Sequence, residues 1–269
     1  MLKNRLIPTI ILKNDLVVQS FNFKSYLPIG KIDAVIEFFN NWDVDEIIVI
    51  DIDASNEKRV IRTELIERIA KNCFVPLAVG GGIRNEENLR DLLNVGIEKI
   101  VINKIIFDNP NFIESIASKY GKQFIVASLD AKLIDDDYYI FIENGRHSTK
   151  MNVREASKMV EDSGAGEIFI NSIDRDGSRL GYDIELLKTV SSSVKIPVIA
   201  CGGVGKASHL AEAITLGGCH ASAAANIFQH TELSTIVGKS IMKSKGLPIR
   251  IDTKAKYDDF LFDEIDRPI

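Results

Sequence analysis

Cysteine is scarce in this 269-residue chain. Cys73, Cys201 and Cys219 are odd in number and carry no paired spacing, which argues against a disulfide framework or a zinc site and suits a reducing cytoplasm. The four histidines are scattered, so no metal is expected, and no cofactor is called for. Long apolar runs are missing as well. None reaches the length that spans a bilayer, and the N-terminus lacks the apolar stretch and small-residue cleavage site of a secreted precursor, so no membrane association is expected and the cytoplasm is the expected location. An excess of positive charge is also absent: 33 Lys and Arg against 38 Asp and Glu leave a net charge of −5, with no electrostatic reason to expect nucleic acid as a partner.

What is present is an ordinary globular composition, 45% hydrophobic and 26% charged, in a length that fits one large α/β domain. Short β-branched runs at 5–12, 46–51, 76–79, 99–103, 123–129, 167–171, 197–200 and 219–223 give eight strand candidates. Amphipathic segments such as 86–94, 111–120, 153–163 and 206–216 lie between most of them, as crossover helices of a parallel sheet must. Eight such units predict a closed (β/α)₈ TIM barrel, with an open doubly wound sheet as the competing architecture.

An internal repeat favours the barrel. Pro76 returns as Pro197, Glu46 as Glu167, Gly81-Gly82-Ile83 as Gly202-Gly203-Val204, Gly96 as Gly217 and Ile52-Asp53 as Ile173-Asp174, all at an offset of about 121 residues. The expected barrel covers 1–252 in half-barrels of about 1–121 and 122–252. Two excursions interrupt it. The segment 131–147, with Tyr138, Tyr139, Ile140 and Phe141 before Asn144-Gly145, predicts a hairpin. The acidic C-terminal tail, 253–269, carries Asp258, Asp259, Asp263, Glu264 and Asp266 around Phe260 and Phe262, and is either docked or disordered.

A parallel barrel carries its chemistry at the C-terminal ends of its strands. Glycines there, Gly80-Gly81-Gly82 after the third strand and Gly202-Gly203 with Gly205 after the seventh, let backbone N–H groups approach an anion, or else simply make tight turns. One βα unit later in each half come Asn103-Lys104 and Ala225-Asn226, the latter opening a short helix whose N-terminus would face a phosphate. The predicted ligand is therefore a phosphorylated small molecule, with Lys104 either supplying charge or remaining solvated. Asp51, Asp53, Asp130, Asp174 and Asp176 also follow strands. One or two of them are expected to act as general acid or base, the rest as helix caps. Through the first strand of each half the offset is 119 residues, and there Ile11 stands opposite Asp130. Isoleucine can neither give nor take a proton.

Val79-Gly80-Gly81-Gly82-Ile83, Asp130-Ala131-Lys132, Ser172-Ile173-Asp174-Arg175-Asp176-Gly177 and Gly202-Gly203, in that order, make the chain resemble the cyclase subunit of imidazole glycerol phosphate synthase to about Asp252. The resemblance implies that a separate glutaminase supplies ammonia, which crosses the barrel to a bisphosphorylated ribulosyl aminoimidazole-carboxamide. It implies catalysis by Asp130 and binding of the phosphorylated substrate by Gly81, Gly82, Asn103, Lys104, Asp176, Gly177, Gly202, Gly203, Ala225 and Asn226. It further implies a salt-bridged ammonia gate of Arg5, Glu46, Lys99 and Glu167 at the opposite pole, and a glutaminase contact at Glu98. From the residues alone, these last five are equally readable as surface charges.

The departures from the family pattern fall at the mouth. Ile11 replaces one of two catalytic aspartates, Gln19 replaces a loop lysine that grips substrate, and Lys104 and Asn171 replace threonines. Three functions follow from the resemblance. The first is a diverged paralogue that receives ammonia from a glutaminase but serves another acceptor, such as a sugar to be amidated in surface-polysaccharide synthesis. The second is an authentic histidine-pathway cyclase forming imidazole glycerol phosphate and aminoimidazole carboxamide ribotide. The third is a non-catalytic scaffold that activates its glutaminase.

Overall fold

The structure, a computed structural model, describes residues 3–229, 234–251 and 261–267. Its strands are β1 (Arg5–Lys13), β2 (Leu16–Phe21), β3 (Ser25–Gly30), β4 (Ile47–Asp51), β5 (Leu77–Gly80), β6 (Lys99–Ile102), β7 (Ile125–Ile134), β8 (Asp137–Ile142), β9 (His147–Asn152), β10 (Glu167–Ser172), β11 (Val198–Cys201) and β12 (Ala221–Ala224). The helices are α1 (Ile32–Asn41), α2 (Thr63–Ala70), α3 (Glu86–Asn94), the single turn α4 (Ile105–Asp108), α5 (Asn111–Tyr120), α6 (Val153–Asp162), α7 (Ile184–Ser191), α8 (Ala207–Thr215) and α9 (Thr235–Ser244). Parallel pairing runs β1-β4-β5-β6-β7-β10-β11-β12 and returns to β1, closing an eight-stranded barrel. The open-sheet alternative is thereby excluded.

Closure explains why these strands are apolar runs: both of their faces are buried. Ile7, Ile48, Ala78, Val101, Val126, Phe169, Ile199 and Ala221 fill the lumen. Their neighbours Leu6, Ile47, Val49, Leu77, Ile100, Ile125, Ile168 and Val198 point outward and pack with the helices. This two-residue alternation also decides which side chains reach the barrel axis. On β1 the inward series begins at Arg5 and continues through Ile7 and Thr9 to Ile11.

The repeat is visible in individual hydrogen bonds. Ile47 N–H donates to Pro76 O at 2.9 Å, and Ile168 N–H to Pro197 O at the same distance. Asp53 accepts from Asn14 N–H at 2.8 Å, and Asp174 from Leu133 N–H at 2.9 Å.

Each half also sends its first strand past the barrel into an antiparallel meander, and here the expectation needs correction. The hairpin expected over 131–147 is a three-stranded meander of β7, β8 and β9. The end of β7 pairs with β8, so an additional turn forms at Asp135-Asp136, where both φ values are positive. The expected Asn144-Gly145 turn is the second one, with Glu143, Asn144 and Gly145 all at positive φ. A matching meander of β1, β2 and β3, not expected from the sequence, turns at Asn14-Asp15 and Asn22-Phe23. The two tips meet above the barrel, where a Cβ on Gly145 would lie 3.4 Å from Phe23 Cδ2.

Within the C-terminal tail the described part is docked. Phe262 packs against the core, and the Asp266 carboxylate accepts from Ser208 N–H at 2.7 Å in the first turn of α8. Asp258, Asp259, Phe260 and the boundary at Asp252 lie outside the described residues. Below the barrel, Lys239 of α9 is fully buried and its charge is met by Asp45 at 2.9 Å and Asp43 at 3.4 Å.

Candidate active site

Alternation places the four suspected gate residues on the axis at the N-terminal end of the barrel. Arg5, Lys99 and Glu167 begin β1, β6 and β10, and Glu46 immediately precedes β4. They form an alternating ring. Arg5 donates to Glu46 at 2.7 Å and Glu167 at 2.6 Å, while Lys99 reaches the same two carboxylates at 2.9 Å each. The Glu46 side chain is only 3% exposed, so surface charges are not an adequate description. Burial would lower the Arg5 pKa and raise that of Glu167, but the opposite charges prevail: Arg5 is held above its ordinary value and Glu167 below. Glu98, near this end, is exposed and accepts from Leu77 N–H at 2.7 Å.

At the other end lies an open cavity of about 1290 Å³, counting the space continuous with solvent. Its lining brings together both glycine turns, Asn103, Lys104, Asp130, Asp176, Gly177, Ala225 and Asn226, and also Ile11. The glycines are needed for steric reasons. Gly82 has φ +66° and a Cβ there would lie 1.8 Å from Arg59 O; Gly203 has φ +99° and a Cβ would lie 2.2 Å from Gly181 O. Among the described residues neither Gly82 N–H nor Gly203 N–H has an acceptor within the chain. The tight-turn reading therefore holds for both glycines, and their N–H groups stay open towards the cavity.

The strand-end aspartates divide into two groups. Asp53 bonds Lys13 Nζ and Asn14 N–H, both at 2.8 Å. Burial would raise its pKa, but the Lys13 hydrogen bond and charge, with the Asn14 amide, hold it below the usual carboxylate range. Asp53 and Asp174 thus brace the two meanders rather than border the cavity. Asp51 does border it, but is bound by Arg59 at 2.5 Å.

Among the described residues, Asp130 and Asp176 have no such cation. Asp130 receives only Asn103 Nδ2, at 3.2 Å, and its pKa is pushed up to about 7, first by burial and second by the charge of Asp176. Asp176 is raised by burial, while donors from Ser20 Oγ at 2.6 Å and Phe23 N–H at 3.1 Å partly offset the rise. A carboxyl poised near neutrality beside a second carboxylate suits proton transfer. Ile11 projects into the same cavity.

Two expectations about the rim change. The helix expected to open at Ala225-Asn226 is a single 3-10 turn, Asn226–Gln229. Asn226 also spends its side-chain amide on Ser20, accepting from its N–H at 3.2 Å and donating to its carbonyl at 2.8 Å. Lys104 is held by Asp108 and lies 3.8 Å from Glu143, so its charge is shared already. Gln19 is buried and donates to Asn226 O at 3.4 Å. Ser20, Tyr26, Arg59 and Glu143 belong to the site or its support but were not anticipated. The 119-residue offset, applied to the predicted second excursion, points to the first meander and hence to Ser20 and Tyr26; Arg59 and Glu143 gave no comparable signal.

The profile of the histidine biosynthesis protein family matches residues 5–234. A Vibrio vulnificus protein provisionally named imidazole glycerol phosphate synthase subunit hisF2 is 52% identical over 268 residues, covering 100% of this chain and 98% of its own. Imidazole glycerol phosphate synthase subunits HisF of Hydrogenobaculum sp. and Hyphomonas neptunium are 40% and 39% identical, covering 93% of this chain and 100% and 99% of theirs. The chain belongs to the HisF family. Membership agrees with the closed barrel, and within this HisF-family chain the departures Ile11, Gln19, Lys104 and Asn171 all lie around one end.

Proposed function

We propose that this HisF-type chain is the synthase-side subunit of a glutamine amidotransferase: a glutaminase docks at the floor, ammonia passes the ring of Arg5, Glu46, Lys99 and Glu167, and a phosphorylated acceptor is held at the mouth. The observation that carries the reading is a fully formed charged ring at one end of the axis, combined with Ile11 facing Asp130 at the other. The family cyclase reaction, which joins ammonia to a bisphosphorylated substrate, relies on two facing aspartates. Loss of one member of such a proton-transfer pair costs about 10²- to 10⁴-fold. A complete charged ring together with a missing acid at position 11 is what a paralogue serving a different acceptor, such as a sugar to be amidated, would carry. The greater identity to a protein named hisF2 than to two named HisF supports a second HisF-type copy and is silent on its acceptor. Gly81, Gly82, Gly202 and Gly203 would cradle phosphate through their N–H groups, with Asn103, Lys104, Gly177, Ala225 and Asn226 completing the walls and Glu98 meeting the glutaminase.

The test is a comparison of two assays on the purified chain. Glutamine hydrolysis by an added glutaminase of the synthase type should rise on mixing, while ammonium salt with the bisphosphorylated histidine-pathway substrate should give little imidazole glycerol phosphate. Full cyclase turnover would replace this reading with the authentic histidine-pathway enzyme. Absence of any effect on the glutaminase would remove ammonia delivery altogether.

A further inference from the structure

The mouth has lost the acid at position 11, yet it still holds two carboxyl groups without a cationic partner among the described residues, one on β7 and the other in the turn after the adjacent strand β10. Asp130 on β7 pairs in register with Asn171 on β10, and Asp176 follows β10 in a turn that folds back, its N–H donating to Ser172 O at 3.0 Å. Both side chains border the one cavity. Their hydrogen bonds differ in a way that divides labour. Asp176 Oδ2 accepts from Ser20 Oγ–H and Phe23 N–H, two donors that stabilise an anion, whereas Asp130 has only the longer contact from Asn103.

We propose that Asp130 and Asp176 form the acid–base pair of this mouth, Asp130 carrying the proton and Asp176 standing in for the acid absent at Ile11, with Ser20 as the residue that positions Asp176. This rests on the proposed reading of the mouth as the place where ammonia meets its phosphorylated acceptor, and adds that the acceptor presents a carbonyl group. As the nitrogen forms its bond to carbon, the π bond of the carbonyl breaks, the oxygen takes the proton of Asp130, and the nitrogen gives one of its own to Asp176. The product is a carbinolamine, and the pair has the same number of protons as before. The other groups facing the pair do not compete for that proton. Burial pushes Tyr26 and Cys201 each up to about 12, Asn103 is uncharged, and Lys104 is engaged by Asp108 and Glu143. Burial first, and the neighbouring Asp176 carboxylate second, push the Asp130 pKa up to about 7. Two neighbouring carboxyls, one with a single long donor and the other with two short ones, have the form of an acid and its base.

Titration of the full chain by NMR of ¹³C-labelled aspartate carboxyls tests the pair without glutaminase or acceptor, so its outcome is independent of whether ammonia delivery survives. In Asp176→Asn the Asp130 midpoint should fall by about one pH unit, since a neighbouring charge has gone. Ser20→Ala should raise the Asp176 midpoint and Ser20→Thr should restore it. An Asp130 midpoint that does not move in Asp176→Asn would overturn the proposal, as would an Asp176 midpoint insensitive to Ser20→Ala.

Discussion

The floor and the mouth of the barrel both hold buried carboxylates, but the floor meets both of its own with positive charge, whereas the mouth meets Asp51 and Asp53 and leaves Asp130 and Asp176 to uncharged donors. There, Glu46 and Glu167 share Arg5 and Lys99 in a closed ring that needs nothing from outside. At the mouth, Asp130 and Asp176 face a cavity with uncharged donors, and burial raises both of their pKa values. A ring that is complete in itself contributes to holding the barrel together; groups left short of partners destabilise the chain and are poised for chemistry. Removing a charge should therefore have opposite effects at the two ends.

The largest effect is expected at the floor. Glu46→Gln leaves Arg5 and Lys99 to share Glu167 in a buried setting, and breaking a buried ion pair from one side costs roughly 3–5 kcal/mol. Denaturant unfolding should show that loss. A loss below about 1 kcal/mol, the level of exposed pairs, would place the floor with ordinary surface charge and dissolve the contrast.

At the mouth the sign reverses and depends on pH. Asp130 has its folded-state pKa raised to about 7 from an ordinary value of 3.8. The unfolded chain therefore ionises first as pH rises, and stability is lost progressively between those two values and is level above them. Asp130→Asn escapes that loss. By linkage it should be more stable than the parent by up to roughly 4 kcal/mol at pH 8 and no more stable near pH 4, while losing any synthase activity. Equal thermal stability of the two proteins at pH 8 would mean that the carboxyl is not held at a cost.

Much of this contrast was legible before any coordinates. Strands buried on both faces must be apolar runs, so all eight barrel strands could be read to within a few residues, and the doubled Gly-Gly turns gave away the mouth. The ring was another matter. Arg5 and Glu167 are separated by most of the chain, and only the family resemblance, not spacing or charge, brought them together. The first meander escaped because its turns use Asn14-Asp15 and Asn22-Phe23, non-glycine residues at positive φ, where Asn144-Gly145 had announced the second. Ser20 was invisible for a related reason: its significance lies in Asp176 and Asn226, far along the chain.

A smaller effect separates glycine as backbone necessity from glycine as convenience at the same mouth. Gly82→Ala must accommodate a Cβ against Arg59 O at a φ of +66°, whereas a Cβ on Gly30 meets nothing within 4 Å. The first substitution should cost roughly 2–4 kcal/mol from left-handed strain and crowding, and the second less than about 0.5 kcal/mol. Because relieving the clash with Arg59 O must shift the turn, and with it the Gly82 N–H, inorganic phosphate should bind the Gly82→Ala protein more weakly, and unchanged affinity would leave that turn with a steric role alone.

The smallest effect concerns how the mouth side completes its helices. Asn152 and Asp183 cap α6 and α7 from within their own segments, but Lys206 gives α8 no side-chain cap. That helix instead receives the Asp266 carboxylate from the tail, 58 residues further along, on Ser208 N–H. Asp266→Ala should therefore cost about 1 kcal/mol, the usual value of a lost cap. The stronger form of the argument is a double-mutant cycle. Lys206→Ser gives α8 a local cap, so the tail's carboxylate becomes redundant and Asp266→Ala in that background should cost almost nothing. If the two changes are additive instead, Asp266 acts through some other contact of the tail, and the mouth would not depend on a distant segment to finish its last crossover helix.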